Sequence, residues 1–228
     1  MPSKYKLLIF DWDGTLADSI GRIVTAMNDS ALAQGFAQRD EVAVKAIIGL
    51  SLAEAISVLY PQLDAQQVIA FRQQYAQVYM ALDAQPSPLF ADVREQLQVF
   101  RDQGYKLAVA TGKARRGLDR VLQSNGWTEF FDITRAADET QGKPHPLMLE
   151  EILAHCQVRA SEALMIGDSA FDLQMAHNAG MDSVAVGYGA LPLSALREFK
   201  PTVTIERFAQ LGQWLADSQP GQCFPLHG

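Results

Sequence analysis

Apolar runs of four or five residues recur along the chain, separated by longer stretches with helical spacing. The runs are KLLIF (6–10), KLAVA (106–110), ALMIG (163–167), SVAVG (183–187) and TVTI (202–205). Each is too short for an ordinary helix, and several are apolar almost throughout, as a strand covered on both faces is. Between them, VREQLQVFRDQG (93–104) sets Val93, Leu97 and Phe100 on one face and ends on Gly104, a residue suited to a helix C-terminus. RGLDRVLQSNG (116–126) does the same with Leu118, Val121 and Leu122. HPLMLEEILAHC (145–156) carries Pro146 at a first helical position.

Strand–helix alternation predicts parallel strands with right-handed crossovers: an α/β fold built on a doubly wound parallel sheet with a Rossmann-like core. One segment breaks the alternation. From about Ser19 to Gln85 the chain offers helix-like stretches (RIVTAMNDSALAQ, DEVAVKAII, LAEAISVLY, AQQVIAFRQQYAQVYMAL) and no convincing strand, and QPSP (85–88) reads as a linker back. The expected division is therefore an α/β core of 1–18 and 86–228 with a small all-helical unit, 19–85, inserted after the first strand. The tail QPGQCFPLHG (219–228) reads as irregular.

Composition narrows this picture. A length of 228 residues suits one large domain or a core with an insertion, and 48% apolar against 20% charged residues can fill a core. The net charge of −7 argues against a general nucleic-acid binder, which needs a basic face. A small anionic ligand is still compatible, because a local cluster of cations acts within a Debye length of roughly 8 Å. Cys156 and Cys223 have no CxxC spacing and read as free thiols of a reducing cytosol. No apolar run approaches the roughly 18 residues of a membrane helix, and the start MPSKYK shows no signal region. The expectation is a soluble, cytoplasmic protein with no membrane partner, its oligomeric state open.

In an open parallel sheet, ligands sit beyond the carboxyl ends of the strands, so the polar residues following each strand are the ones to collect. Asp11 and Asp13 follow the first run; Thr111, Gly112 and Lys113 follow KLAVA; Asp168 and Asp172 follow ALMIG; Lys143 lies in GKPHP before it. Residues i and i+2 of an extended chain point the same way, so Asp11 and Asp13 can share one crevice. With Asp168 they make a hard oxygen site suited to Mg²⁺. Such an ion offsets carboxylate repulsion that amounts to roughly 4 kcal/mol per pair at 4 Å and an effective dielectric of 20. Lys113, Arg115 and Arg116 stay open between steering anions and solvating a helix face.

FDWDGTLADS, AVATGK, GKPHP and MIGDSAFDLQMAHNAG resemble, in order, the four motifs of the haloacid dehalogenase-like hydrolase superfamily, over about residues 5–190. The helical insertion resembles the cap of its phosphoglycolate phosphatase-like branch. The resemblance implies a nucleophile at Asp11, which would form an aspartyl-phosphate. Asp13 would act as general acid and base. Thr111 and the amide of Gly112 would hold the phosphoryl oxygens, and Lys143 would neutralise the charge shared by Asp11 and the phosphate. Asp168, Asp11 and the carbonyl of Asp13 would bind Mg²⁺, with Asp172 either a ligand or a support. A loop at Gly49, Leu50 and Ser51 would close over the substrate from the cap.

The departures shape the expected reaction. Dehalogenases and phosphonatase-type relatives lack the second aspartate, which is present here. β-Phosphoglucomutase-like members tend to carry histidine where this chain has Ile23, and a basic residue before the cap glycine where it has Ile48. Phosphoglycolate phosphatase-like relatives often read TNK where this chain reads TGK, so the missing asparagine argues against phosphoglycolate itself. The expected activity is a Mg²⁺-dependent phosphatase acting on a small phosphomonoester metabolite. The alternatives are a mutase or pyrophosphatase of the same superfamily, or a non-catalytic regulatory or binding protein on this fold.

Overall fold

The computed structural model describes residues 4–82 and 87–217. Gln85 and Pro86 of the expected linker, Cys223 and the tail from 219 lie outside the described residues. The first strand, β1 (Leu7–Phe10), is followed by α1 (Ile20–Ala33), α2 (Glu41–Lys45), α3 (Leu52–Leu59) and α4 (Ala65–Leu82). Alternation then begins: α5 (Val93–Asp102), β2 (Lys106–Thr111), α6 (Arg115–Ser124), β3 (Ile133–Ala136), α7 (Leu147–Cys156), β4 (Ala163–Gly167), α8 (Ala170–Asn178) and β5 (Asp182–Val186). The chain continues through α9 (Leu193–Leu196), β6 (Val203–Ile205) and α10 (Ala209–Asp217).

All six strands are parallel, in the order β3-β2-β1-β4-β5-β6. The sheet grows one way from β1 through β2 and β3, and the other way from β4 through β5 and β6. The direction therefore reverses beside β1, the position at which such sheets open a crevice beyond their strand ends. Side chains alternate across the sheet, so each strand serves two cores. Leu8, Phe10, Leu107, Val109, Leu164 and Ile166 pack under α5, α6 and α10. Leu7, Ile9, Ala108, Ala110, Ala163 and Met165 pack under α7 and α8. This double coverage is what the uniformly apolar runs anticipate.

The structure adds a strand that the hydrophobic pattern does not announce. β3 reads Ile-Thr-Arg-Ala, with only its two ends buried. It pairs with β2 alone, at the sheet edge, and Arg135 turns outward to Glu151 at 2.6 Å.

Helices α1–α4 surround a cluster of their own, built on Met27, Ile56, Tyr60 and Phe71. The path into this segment and the path out of it run side by side: Ala17 bridges Leu89, Asp18 N donates to Pro88 O (2.8 Å), and Phe90 N donates to Leu16 O (3.0 Å). Among the described residues, no helix is long and apolar enough to cross a membrane.

Candidate active site

The sheet's register brings distant parts of the sequence together. Phe10 stands level with Val109 on one side and Ile166 on the other, and Asp11 N donates to Ile166 O at 3.0 Å. Asp11 thus emerges between the end of β2, which is Thr111, and the turn after β4, which begins with Asp168. Trp12 turns the other way into the core, edge-on to Trp127, and this anchors the backbone between the two aspartates.

Two charged networks result. In the first, Lys143 Nζ lies 2.8 Å from Asp11 Oδ1 and 2.6 Å from Asp172 Oδ1, with all three side chains buried. Asp172 Oδ2 accepts from Ser169 N (3.1 Å) and Ser169 Oγ (2.6 Å), the capping box that starts α8. Asp168 accepts from Thr15 Oγ1 at 3.1 Å through one oxygen and from Ala190 N at 2.6 Å through the other. Asp11, Asp168 and Asp172 each offer an oxygen within 4.8 Å of the others.

Electrostatics in this network are severe. Burial pushes the Asp11 carboxyl up to about 7, against the pull of Lys143, while the nearby Asp172 and Asp13 add to the rise. Asp168 is driven well above the carboxylate range by burial and then by Asp11 and Asp172. Burial disfavours the Lys143 ammonium, but the attraction of Asp11 and Asp172 prevails and holds its pKa above the ordinary lysine value. Three buried carboxylates thus face one buried ammonium, and Asp11 Oδ2 takes no hydrogen bond from Lys143. A hard divalent cation fits this donor set, because it supplies the positive charge the cluster lacks.

The second network holds Asp13 apart from the first. Lys113 Nζ contacts both Asp13 oxygens, at 2.9 and 2.8 Å, and Ser19 Oγ donates to Oδ1 at 2.6 Å. The same ammonium lies 5.2 Å from the ring centre of Tyr79 in α4.

Both aspartates open onto a cavity of about 590 Å³, together with Thr111, Gly112, Lys113 and the loop residues Gly49, Leu50 and Ser51. Lys143, Asp168 and Asp172 do not line it and lie behind Asp11. The loop is held against the core by close backbone approach. Gly49 has φ +105°, and a Cβ there would meet Ser169 Oγ at 2.7 Å. A Cβ on Gly112 would meet the carbonyl oxygens of Leu50 and Gly49 at 2.5 and 2.6 Å. Glycine in TGK is therefore a packing requirement of this loop position as well as the loss of a side-chain donor. Ser51 caps α3, its hydroxyl 2.5 Å from Glu54 Oε2.

This contact has a measurable consequence. Gly112→Asn should force the loop off the core at roughly 1–3 kcal/mol, the scale of overpacking. Amide exchange over residues 49–54, followed by mass spectrometry, should quicken by about tenfold or more; unchanged exchange would mean that Gly112 does not hold the loop.

Of the positions singled out in the sequence, Asp11, Asp13, Thr111, Gly112, Lys113 and Gly49–Ser51 line this crevice and Lys143, Asp168 and Asp172 stand behind Asp11, whereas Arg115 turns to Thr134 and Glu139. Several others at the site were not anticipated: Thr15 and Ser169, which orient Asp168 and Asp172, and Ser19 and Tyr79 around the Asp13–Lys113 pair. Ser169-Ala-Phe-Asp172 carries the signature of a helix N-terminus and could have been found that way. Tyr79 offered no such signal, since an aromatic residue in a helical stripe reads as core.

A family model described as haloacid dehalogenase-like hydrolase matches residues 8–186. The chain is similar to the protein named "Probable phosphatase IndB" from Dickeya dadantii strain 3937, at 33% identity over 209 residues, covering 90% of this chain and 91% of that one. It is 29% identical over 215 residues to a phosphoglycolate phosphatase of Vibrio vulnificus strain YJ016, covering 90% and 94%. Among solved structures, a predicted phosphoglycolate phosphatase from Haemophilus somnus 129pt superposes with a TM-score of 0.81 at 25% identity, covering 94% of this chain and 99% of that one.

Proposed function

Since the chain belongs to the haloacid dehalogenase-like hydrolase family, we propose that it is a Mg²⁺-dependent phosphatase that hydrolyses a small phosphomonoester metabolite through a phosphoryl group carried on Asp11. The observation that carries this reading is the buried Lys143 bridging Asp11 and Asp172 beside Asp168. It holds one Asp11 oxygen and leaves the other for attack. Asp11 Oδ2 bonds to phosphorus as the ester P–O bond breaks, and the leaving oxygen takes a proton from Asp13. Asp13 then takes a proton from water, which attacks phosphorus and releases Asp11. For Asp13 to carry that proton, Lys113 must turn from it toward the phosphate, whose charge competes for the ammonium. Thr111 and the amide of Gly112 receive the phosphoryl oxygens.

Asp11, Asp168 and the carbonyl of Asp13 would hold the Mg²⁺, which when bound supplies positive charge against the carboxylates and the phosphoryl oxygens. Asp172, whose charge is already paired with Lys143 at 2.6 Å whereas Asp168 accepts from the neutral donors Thr15 and Ala190, serves as support. Helices α1–α4, within residues 19–85, act as a cap over a core made of 1–18 and 86–228. The loop at Gly49–Ser51, seated against Gly112 and Ser169, supports that division.

The test is phosphate release from p-nitrophenyl phosphate and a panel of small phosphorylated metabolites, with Mg²⁺ and with excess EDTA. Release is expected in Mg²⁺ and silence in EDTA; the same rate in both would remove the metal from the reading, and none from any ester would remove hydrolysis. Thermal unfolding supplies a readout that needs no turnover. The Asp11 carboxyl keeps its proton to about pH 7 when folded, whereas an ordinary aspartate (3.8) has lost it well before. The folded state thus binds more protons between those values, so stability falls as pH rises through them. The Tm of the metal-free protein, measured relative to Asp11→Asn, should decline from pH 4 to pH 7, and Mg²⁺ should restore several degrees at pH 7.5.

A further inference from the structure

The cavity in front of Asp11 is larger and more apolar than a phosphorylated two-carbon acid requires. Its volume of about 590 Å³ falls in the range of roughly 300–1,000 Å³ that encloses drug-sized ligands. Across α1, the Gly49 loop and α3 its lining is Ile23, Met27, Ile47, Leu50 and Leu52 with glycine and alanine between. The one polar side chain on that wall, Ser51, is committed to Glu54. From α4 come Met80 and the stacked rings of Tyr75 and Tyr79, 5.7 Å apart. A carboxylate buried against this wall would lose its water and gain no partner, which is costly. Three arginines also line the cavity: Arg72 on α4 and Arg116 on α6 are exposed, where an ion pair contributes little, and Arg120 on α6 is half-buried. They attract a dianion from the α4 and α6 sides, and none of the three stands on the α1–α3 wall to pair with an acid group seated there.

We propose that the substrate is the phosphate monoester of a predominantly apolar alcohol, of the size of an aryl group or a medium alkyl chain, with the phosphate at Asp11 and Thr111 and the apolar group against the α1–α3 wall. This rests on the phosphatase reading above and adds the leaving group. The wall then does two things: it gains free energy from each carbon it takes from water, and it rejects short acidic esters, whose charge it cannot satisfy.

The experiment is a homologous series. Binding of n-alkyl phosphonates from ethyl to octyl to the Mg²⁺-loaded protein is measured by calorimetry, and kcat/KM is measured for the matching alkyl phosphates and for phosphoglycolate. Affinity and kcat/KM should both rise about fourfold per methylene, the fold-change corresponding to about 0.8 kcal/mol per buried CH₂. Ile47→Asn and Met80→Gln should flatten that slope. A flat series in the native protein, or phosphoglycolate exceeding the longest alkyl ester, would overturn the proposal. Failure to release phosphate from any ester while the phosphonates still bind with rising affinity would overturn the hydrolytic reading and leave the apolar specificity standing, so the two fail separately.

Discussion

Asp11→Asn is expected to lower kcat by about 10⁴-fold or more, the scale of losing a nucleophile that acts as part of a unit. The amide is nearly isosteric and its Oδ1 can still accept from Lys143, so the fold should survive. What disappears is the second anionic oxygen, and with it the bond to phosphorus. Removing one of three crowded carboxylates also relieves repulsion, so the variant should unfold at or above the native temperature at pH 7.5 without metal. Steady-state rates on p-nitrophenyl phosphate, beside a thermal scan, check both halves. A variant that turned over at the native rate would exclude covalent transfer to Asp11, whereas one that merely unfolded would report on packing.

Lys143→Met should have the opposite signature: loss of activity together with a large loss of stability. The lysine side chain is fully buried between two carboxylates, at 2.8 and 2.6 Å. Methionine fills most of the volume, but Asp11 and Asp172 would then be buried without their counter-charge. Breaking such a pair from one side costs about 3–5 kcal/mol. For a chain of this size that is a fall in Tm of roughly 6–20 °C. Acid should reduce the deficit, because protonating Asp11, whose carboxyl burial already pushes up, removes a charge that lacks a partner. A deficit that shrinks from pH 8 to pH 5 therefore supports the electrostatic account, and one independent of pH would point to packing. Lys143→Met combined with Asp172→Asn should recover part of the loss, with an interaction energy that a double-mutant cycle reads directly.

Much of this was legible in the sequence because the sheet is covered on both faces. A strand such as Leu7–Phe10 must be apolar at every position, and its abrupt end at Asp11 marks the edge of the core. β3 escaped because an edge strand is relieved of that demand; Thr134 and Arg135 stand where a central strand would be apolar. The same contrast runs through the site. Asp11 and Asp168 each follow a strand directly and Thr111 ends one, so local sequence points to them. The pairing of Lys113 with Asp13 joins residues 100 positions apart, and the seat of the Gly49 loop on Gly112 depends on how helices dock onto a sheet. No local periodicity encodes either. Asp172 lies between these cases: its position in GDSAFD suggested a place near the cluster, but only its bonds to Lys143 and Ser169 show both oxygens engaged.

The paired backbone at Leu16–Asp18 and Pro88–Phe90 bears on how such a chain changes over generations. Because the helical segment leaves and returns through neighbouring hydrogen-bonded residues, its length is nearly decoupled from the sheet's register. Closing a loop of twice the length costs only about 0.6 kcal/mol more. A segment gained, lost or exchanged at that junction leaves β1 where it is and Asp11 at its tip. On the function proposed above, the wall facing the leaving group could therefore be rebuilt wholesale while the residues assigned to phosphorus stay fixed, so selectivity and chemistry would be inherited as separable parts.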